Sequence, residues 1–361
     1  MLSFIKDRID YFFGRGRHSI FVPVMDGPLK PNEFLDNVQV ILEKPEVDNL
    51  ILAKNKILCS SGADLLVVEE TGNQKILYQF DSDITSMSAN KNNGEIAVAL
   101  LEGKVVICSI DPFREKKQFK ENCVTSMTFN NELLMYTKGS DQYLADKWKN
   151  DLMSLGETGS ILINNLDGNP SKKLFGNLSW PSGIALISEN IFCVSEAWSH
   201  RVSFFDFNNT NRSISNTGRK IEKLPAYPGR LFFDTKKNEL WVTFFAPRNQ
   251  LVEFILTEDE YRNRMVDEIE ASLWVSPCYR SGKQVREPLQ QSGIKTMGYL
   301  KPWAPAFSYG LVVNFDMDLN ALSSFHSRTN GSFHGTTSMA IDNNNRILVT
   351  SRGDGKIGAW K

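Results

Sequence analysis

The chain has 361 residues, 41% of them hydrophobic and 23% charged, and carries a formal net charge of −1. That composition supports a sizeable core and excludes the general attraction to nucleic acid or anionic membrane that a basic protein would show. Five cysteines (Cys59, Cys108, Cys123, Cys193 and Cys278), odd in number and scattered, show neither a CxxC pair nor metal-ligand spacing. Free thiols in a reducing, cytoplasmic setting are expected.

Residues 1–25 read as an N-terminal amphipathic extension. In its first 17 residues Leu2, Ile5, Ile9 and Phe12 share one helical face, with Lys6, Arg8, Arg15 and Arg17 elsewhere. Lys6-Asp7-Arg8 interrupt the apolar stretch a secretory signal would need, and no other stretch reaches the ~20 apolar residues of a membrane span. A short helix packed on the body is expected, with a peripheral membrane or protein contact through residues 1–17 as the alternative. The body, 26–361, begins with a turn-rich segment (DGPLKPNEFLD) and a strand, Val38–Leu42.

From Asp48 onward a degenerate unit recurs: a small polar or glycine anchor, a short apolar run, a polar turn, then further apolar runs. Such runs split by Ser, Asn and Gly turns predict short strands in a meander. Trp180 to Asp206 (WPSGIALISENIFCVSEAWSHRVSFFD) shows it best. The anchors are Asp48, Thr85, Thr125, Ser182, Gly229 and Thr337, and the word TSM recurs at three of them. Their spacings are 37, 40, 57, 47 and 108 residues. Modules of about forty residues predict a β-propeller, here all-β with six blades; the longest gap leaves room for a seventh.

Two insertions explain the long steps. About 138–157 a loop rich in acidic and aromatic residues holds a helix-like stretch from Leu144 to Leu155, with Trp148 expected to pack on a blade rim. About 257–305 a helix is expected from Thr257 to Val275, capped by Thr257 and favoured by Glu258, Asp259 and Glu260 at its positive end, as a lid over one channel mouth. Trp180, Trp198, Trp241 and Trp303 are assigned to blade or lid packing. Strands resume at Tyr309–Val313 and Ser323–His326, and the last strand, Lys356–Trp360, is expected to pair with Val38–Leu42 and close the ring.

The stretches SEAWSHRVSFFD, LPAYPGRLFFD followed by ELWVTFFAPRN, YGLVV, HGTTSM and YTKGSDQYLADKWKNDLMSLGETGSILI resemble the strictosidine synthase-like proteins, from about Pro45 to the C-terminus. The resemblance implies a six-bladed propeller related to the paraoxonases, the gluconolactonase/regucalcin group and adipocyte plasma membrane-associated protein. It also implies a calcium ion in the channel, held by carboxylates and amides at the starts of the innermost strands. This chain departs from that pattern. Asp48, with Glu46 nearby, stands for a glutamate, Thr125 for an asparagine, Ser182-Gly183 for Asn-Gly, and Gly229-Arg230 closes a motif that usually ends Asp-Asn. The ring offers one carboxylate, four hydroxyls and a guanidinium, so no metal or other cofactor is expected. At the acid/base glutamate of the plant synthases stands Met339, which excludes their condensation.

Whether the protein is an enzyme stays open at this point. One reading is an ester or lactone hydrolase acting on a small carbonyl-bearing or anionic metabolite. It would use Asp48, His334 as general base and Arg230 as oxyanion stabiliser. Thr85, Thr125, Ser182, Thr337, Glu196 and His200 would line its channel, the last two on one strand face. The other is a catalytically inactive propeller that binds a small ligand or a protein.

Overall fold

A computed structural model of the chain describes residues 20–69, 73–281 and 308–361, with the backbone of a small hairpin, Lys295–Thr296 and Tyr299–Leu300. The N-terminal helix expected over residues 1–17 and Trp303 lie outside the described residues.

The six units form six four-stranded antiparallel sheets. Their inner strands are Val47–Ala53, Ile84–Ala89, Val124–Asn130, Pro181–Ser188, Ala226–Asp234 and Thr336–Ile341. Each meets the inner strands of both neighbouring blades, the sixth meeting the first, so the ring is closed. The 108-residue gap holds no seventh sheet among the described residues. Gly310–Phe315 pairs back onto Glu239–Pro247, and Ala321–Ser327 pairs onto Gly310–Phe315 to complete blade 5. Blade 6 is completed by the N-terminal strand Gln39–Glu43, which pairs with Lys356–Trp360 in the register Gln39↔Ala359 to Glu43↔Lys356.

Second strands such as Ile96–Leu100 and Ile347–Ser351 are buried at every position and therefore read as continuous apolar runs. Outer strands such as Phe113–Lys120 are largely exposed and polar. The core is divided into six apolar clusters, one between each pair of adjacent blades. Leu58, Leu65, Met87 and Val98 join blades 1 and 2, for example, and Val47, Ile57, Leu348 and Ile357 join blades 6 and 1. Asn55, Asn131, Asn238 and Asn345 turn the chain between first and second strands with φ between 54° and 63°, a region asparagine tolerates.

The insertions leave the propeller after the second strands of blades 3 and 5. In an antiparallel blade that is the end at which the inner strand begins, so both insertions lie over the anchor end of the channel. The first contains helix α1, Trp148–Met153. The second contains two helices where one was expected: α2, Gln250–Thr257, and α3, Asp259–Glu268. The helix starts earlier because the Asn249 side chain accepts the Leu251 N–H and caps it. Thr257 ends α2 rather than capping a longer helix. The two insertions share one core: Leu152 and Met153 pack with Val252, Ile255, Met265, Trp274 and Val275. None of the described helices is long and apolar enough to cross a membrane.

Candidate functional site

The anchors stand at the starts of the inner strands, around the channel. Blade-to-blade approach there is close. A Cβ on Gly183 would come within 2.6 Å of the Gly229 carbonyl oxygen, which restricts that position to glycine. Hydroxyls bind the ring together. Thr125 Oγ1 donates to the Pro181 carbonyl at 2.5 Å, Ser182 Oγ to Pro228 at 2.6 Å, and Thr243 Oγ1 to Thr337 at 3.1 Å. Thr85 Oγ1 donates to Ala99 within its own blade at 3.3 Å. The expected channel residues Thr85, Thr125, Ser182 and Thr337 do line the cavity, but their hydroxyl protons point to neighbouring acceptors.

Arg230 projects inward. Its Nη1 donates to Asp48 Oδ1 at 2.9 Å and lies 3.5 Å from the Thr337 carbonyl, while Nη2 donates to the Thr85 carbonyl at 2.7 Å. One side chain from blade 5 thus contacts blades 1, 2 and 6. Asp48 Oδ1 also accepts from Thr337 Oγ1 at 2.7 Å and from the Asn49 N–H at 2.7 Å. A second guanidinium reaches the same carboxylate: Arg352 Nη1 stands 3.5 Å from Asp48 Oδ2. Burial pushes the Asp48 carboxyl up. The Arg230 and Arg352 charges, the Thr337 hydroxyl and the Asn49 N–H outweigh that and hold it below the ordinary carboxylate range.

Above these charges opens a cavity of about 210 Å³. Aromatic rings line it: Trp148 from the first insertion, Tyr279 from the second, and Trp180 and Phe245 from the blades. Trp148 lies edge-on to Phe245 and to Tyr279, with centroids 5.6 and 5.5 Å away. Arg352 sits over the Tyr279 ring, 4.9 Å from its centroid, and keeps 40% of its side-chain exposure. Asp83 and Asp146 lie at the solvent-exposed rim. Arg352, Tyr279 and Phe245 were not singled out in the sequence. Arg352 follows the second strand of blade 6, where Glu196 ends that of blade 4, and this repeat position was the available signal. Tyr279 lies in an aperiodic insertion and gave none.

The other expected residues lie elsewhere. His334 is fully buried outside this cavity, and both ring nitrogens are occupied. Nδ1 accepts from Arg280 Nη1 at 2.6 Å and Ser308 Oγ at 2.8 Å, and Nε2–H donates to the Arg328 carbonyl at 2.7 Å. Burial lowers its basicity further. Such a group has no free lone pair to take a proton from a channel water. Glu196 forms a two-pronged ion pair with Arg201, at 2.6 and 2.9 Å, and accepts the Ser179 N–H. Its strand ends there, so the period-two argument that placed His200 on the same face fails. His200 has φ 48°, packs edge-on to Tyr227, and lies 3.7 Å from Glu253 of α2.

The calcium ion implied by the resemblance does not fit these residues. The one carboxylate at the anchors is already paired with two guanidiniums, and Arg230 places a fixed positive charge among the oxygens a cation would need. No group of three or more His, Cys, Asp or Glu side chains with metal-binding geometry occurs among the described residues.

No protein-family model matches this sequence, and no curated protein does. The fold is similar to that of a gluconolactonase from Xanthomonas campestris, with a TM-score of 0.56, 12% identity, and coverage of 94% of this chain and 97% of that one. It is also similar to a luciferin-regenerating enzyme, with a TM-score of 0.54, 11% identity, and coverage of 91% and 94%. At these identities the likeness establishes the six-bladed propeller that the chain shares with both.

Proposed function

We propose that the channel binds a small anionic or carbonyl-bearing metabolite, with Arg230 and Arg352 as its anchors and Asp48 as their counter-charge when the site is empty. One observation carries this reading: two guanidiniums converge on a single buried carboxylate at the floor of the cavity. Two guanidiniums facing one buried carboxylate in a partly desolvated site favour a carboxylate ligand, which a guanidinium holds in a two-pronged contact. Arg352 is the more available of the two, because Arg230 is tied to three neighbouring blades.

Hydrolysis of an ester or lactone is the second reading, supported by the strictosidine synthase-like resemblance and by the gluconolactonase-like fold. Arg230 beside Asp48 would supply the oxyanion contact. Against it, a carboxylate held below its ordinary range is a weak general base, and no histidine faces the cavity among the described residues. Binding is therefore the function the geometry supports best.

The test is calorimetric binding of a panel of small carboxylic acids and their matching alcohols to the wild type and to Arg352→Met. The acids are expected to bind and the alcohols not. Arg352→Met, at an exposed position, is expected to fold and to lose about tenfold or more in affinity, from the 1.5–3 kcal/mol of a hydrogen bond to a charged group. Acids that bind the variant as tightly as the wild type would refute the assignment. Steady turnover of small esters or lactones that Asp48→Asn abolishes would instead favour the second reading.

A further inference from the structure

The walls of the cavity say more about the ligand than its floor does. Four aromatic side chains line the cavity beside the guanidiniums, and they come from separate parts of the chain: Trp148, Trp180, Phe245 and Tyr279. Trp180 has φ 51°, in the left-handed region where a bulky residue is an outlier, and its indole stacks on Trp198 at 5.6 Å. Backbone strain of this kind persists where surrounding structure enforces it, and it clusters at ligand sites. Tyr279 does double duty: its ring carries Arg352 at 4.9 Å and also faces Trp148 and Phe245 at 5.5 and 5.8 Å. The two insertions that deliver Trp148 and Tyr279 are locked together by their shared core, so these rings are positioned together.

At about 210 Å³ the space is smaller than the ~300–1,000 Å³ typical of drug-sized sites, and it suits one ring with a short acidic arm. The acids at the mouth do not reverse the preference for an anion. Asp146 is exposed and lies 3.6 Å from Lys147, and Asp83, also exposed, acts on Arg352 less than the buried Asp48 does.

We infer that the channel ligand is a small aromatic carboxylic acid, its carboxylate on Arg352 and Arg230 and its ring against Trp148, Trp180, Phe245 and Tyr279. This rests on the reading of the channel as an anion site. A flat π-face gains from edge and offset contacts with such rings beyond the area it buries, which a saturated ring of similar size does not.

Three probes separate the two parts of the idea: phenylacetate, cyclohexylacetate with a saturated ring, and 2-phenylethanol, which keeps the ring and loses the charge. Binding to the full-length wild type is read by calorimetry and tryptophan fluorescence. Phenylacetate is expected to bind about fivefold tighter than cyclohexylacetate, and 2-phenylethanol to bind weakest. Trp148→Leu is expected to remove the difference between the two acids. If cyclohexylacetate matches or exceeds phenylacetate, the aromatic inference is overturned while the anion site stands. If 2-phenylethanol matches phenylacetate, or if neither acid binds, the anion reading itself fails and takes this inference with it. The wild-type comparison decides the matter even if Trp148→Leu does not fold.

Discussion

Arg230 holds the anchor end of the channel together with one side chain. It gathers a carboxylate and two backbone carbonyls from three other blades. The positive charge that these oxygens surround is covalently attached. A chelator is therefore expected to leave the melting temperature unchanged, and a drop of several degrees on adding EDTA, reversed by calcium, would contradict the assignment. The Asp48 carboxylate should matter more than any metal. Asp48→Asn leaves two guanidiniums without their counter-charge and is expected to cost about 2–4 kcal/mol at neutral pH. Because the Asp48 pKa is lowered on folding, its stabilisation is present above the ordinary carboxylate value of 3.8 and is lost as the pH falls through its folded value. The gap between wild type and Asp48→Asn in urea unfolding should therefore narrow as the pH is lowered from 7 to 3. A gap that stays constant would show that the charge is not what Asp48 contributes. The opposition of Asp48 and Arg230 was legible in the sequence because Asp48 is a repeat anchor and Arg230 directly follows another, Gly229, and period fixes where the anchors stand. Arg352 had only the weak signal of its repeat position, and the aromatic wall was not legible as a site, because its four rings come from four separate segments that share no period.

At the level of elements, the lid is two insertions that behave as one. Trp198 Nε1 donates to Asp151 Oδ1 of α1 at 2.8 Å, while α2 and α3 close over Leu152 and Met153. The inner strands of the six blades were legible as short apolar runs with a turn on either side, whereas polar outer strands such as Phe113–Lys120 carry no such signal. The lid helices were legible only in part. The polar α3 carries the acidic start that marks a helix, but α2 (QLVEFILT) is an apolar run preceded by a strand, and its Asn249 cap is a single-residue signal. The shared core predicts a coupling. Ile255 is buried and is not part of the cavity lining, yet Ile255→Ala is expected to destabilise the lid by about 2–4 kcal/mol. It should also weaken phenylacetate binding, since Trp148 and Tyr279 depend on that core for their placement. Hydrogen exchange should show faster opening of α2 and α3 with the blades unchanged. An equal loss of protection throughout the propeller would show that the lid has no independent stability.

For the whole molecule, the decisive contact is the one that turns a row of blades into a ring. Gln39–Glu43 supplies the outer strand of blade 6, and its removal would leave Lys356–Trp360 as an open edge. Ile41 and Leu42 fill the cluster between blades 6 and 1, so the strand also buries side chains between the first and last units. The segment before it is tied down as well. Asn32 Nδ2 donates to the Ser324 carbonyl at 2.9 Å, Ser327 Oγ and the Ser332 N–H donate to Asp36, and Phe34 packs on Phe325 and Trp360. Farther toward the start, the Phe21 carbonyl accepts from Arg248 at 3.1 Å. All of these contacts lie at residues 21–43, which a deletion of residues 1–17 leaves in place. Deleting residues 1–17 is therefore expected to leave a soluble propeller that melts cooperatively within a few degrees of the full chain, whereas deleting residues 1–43 removes the closing strand and its two buried apolar side chains, Ile41 and Leu42. Each buried leucine or isoleucine lost is worth about 2–5 kcal/mol, which is comparable with the ~5–15 kcal/mol net stability of a typical protein. The longer deletion should thus aggregate or lose its cooperative transition. A 1–43 deletion that melts like the full chain would mean that the ring holds without its closing strand, and that the six inter-blade clusters alone suffice.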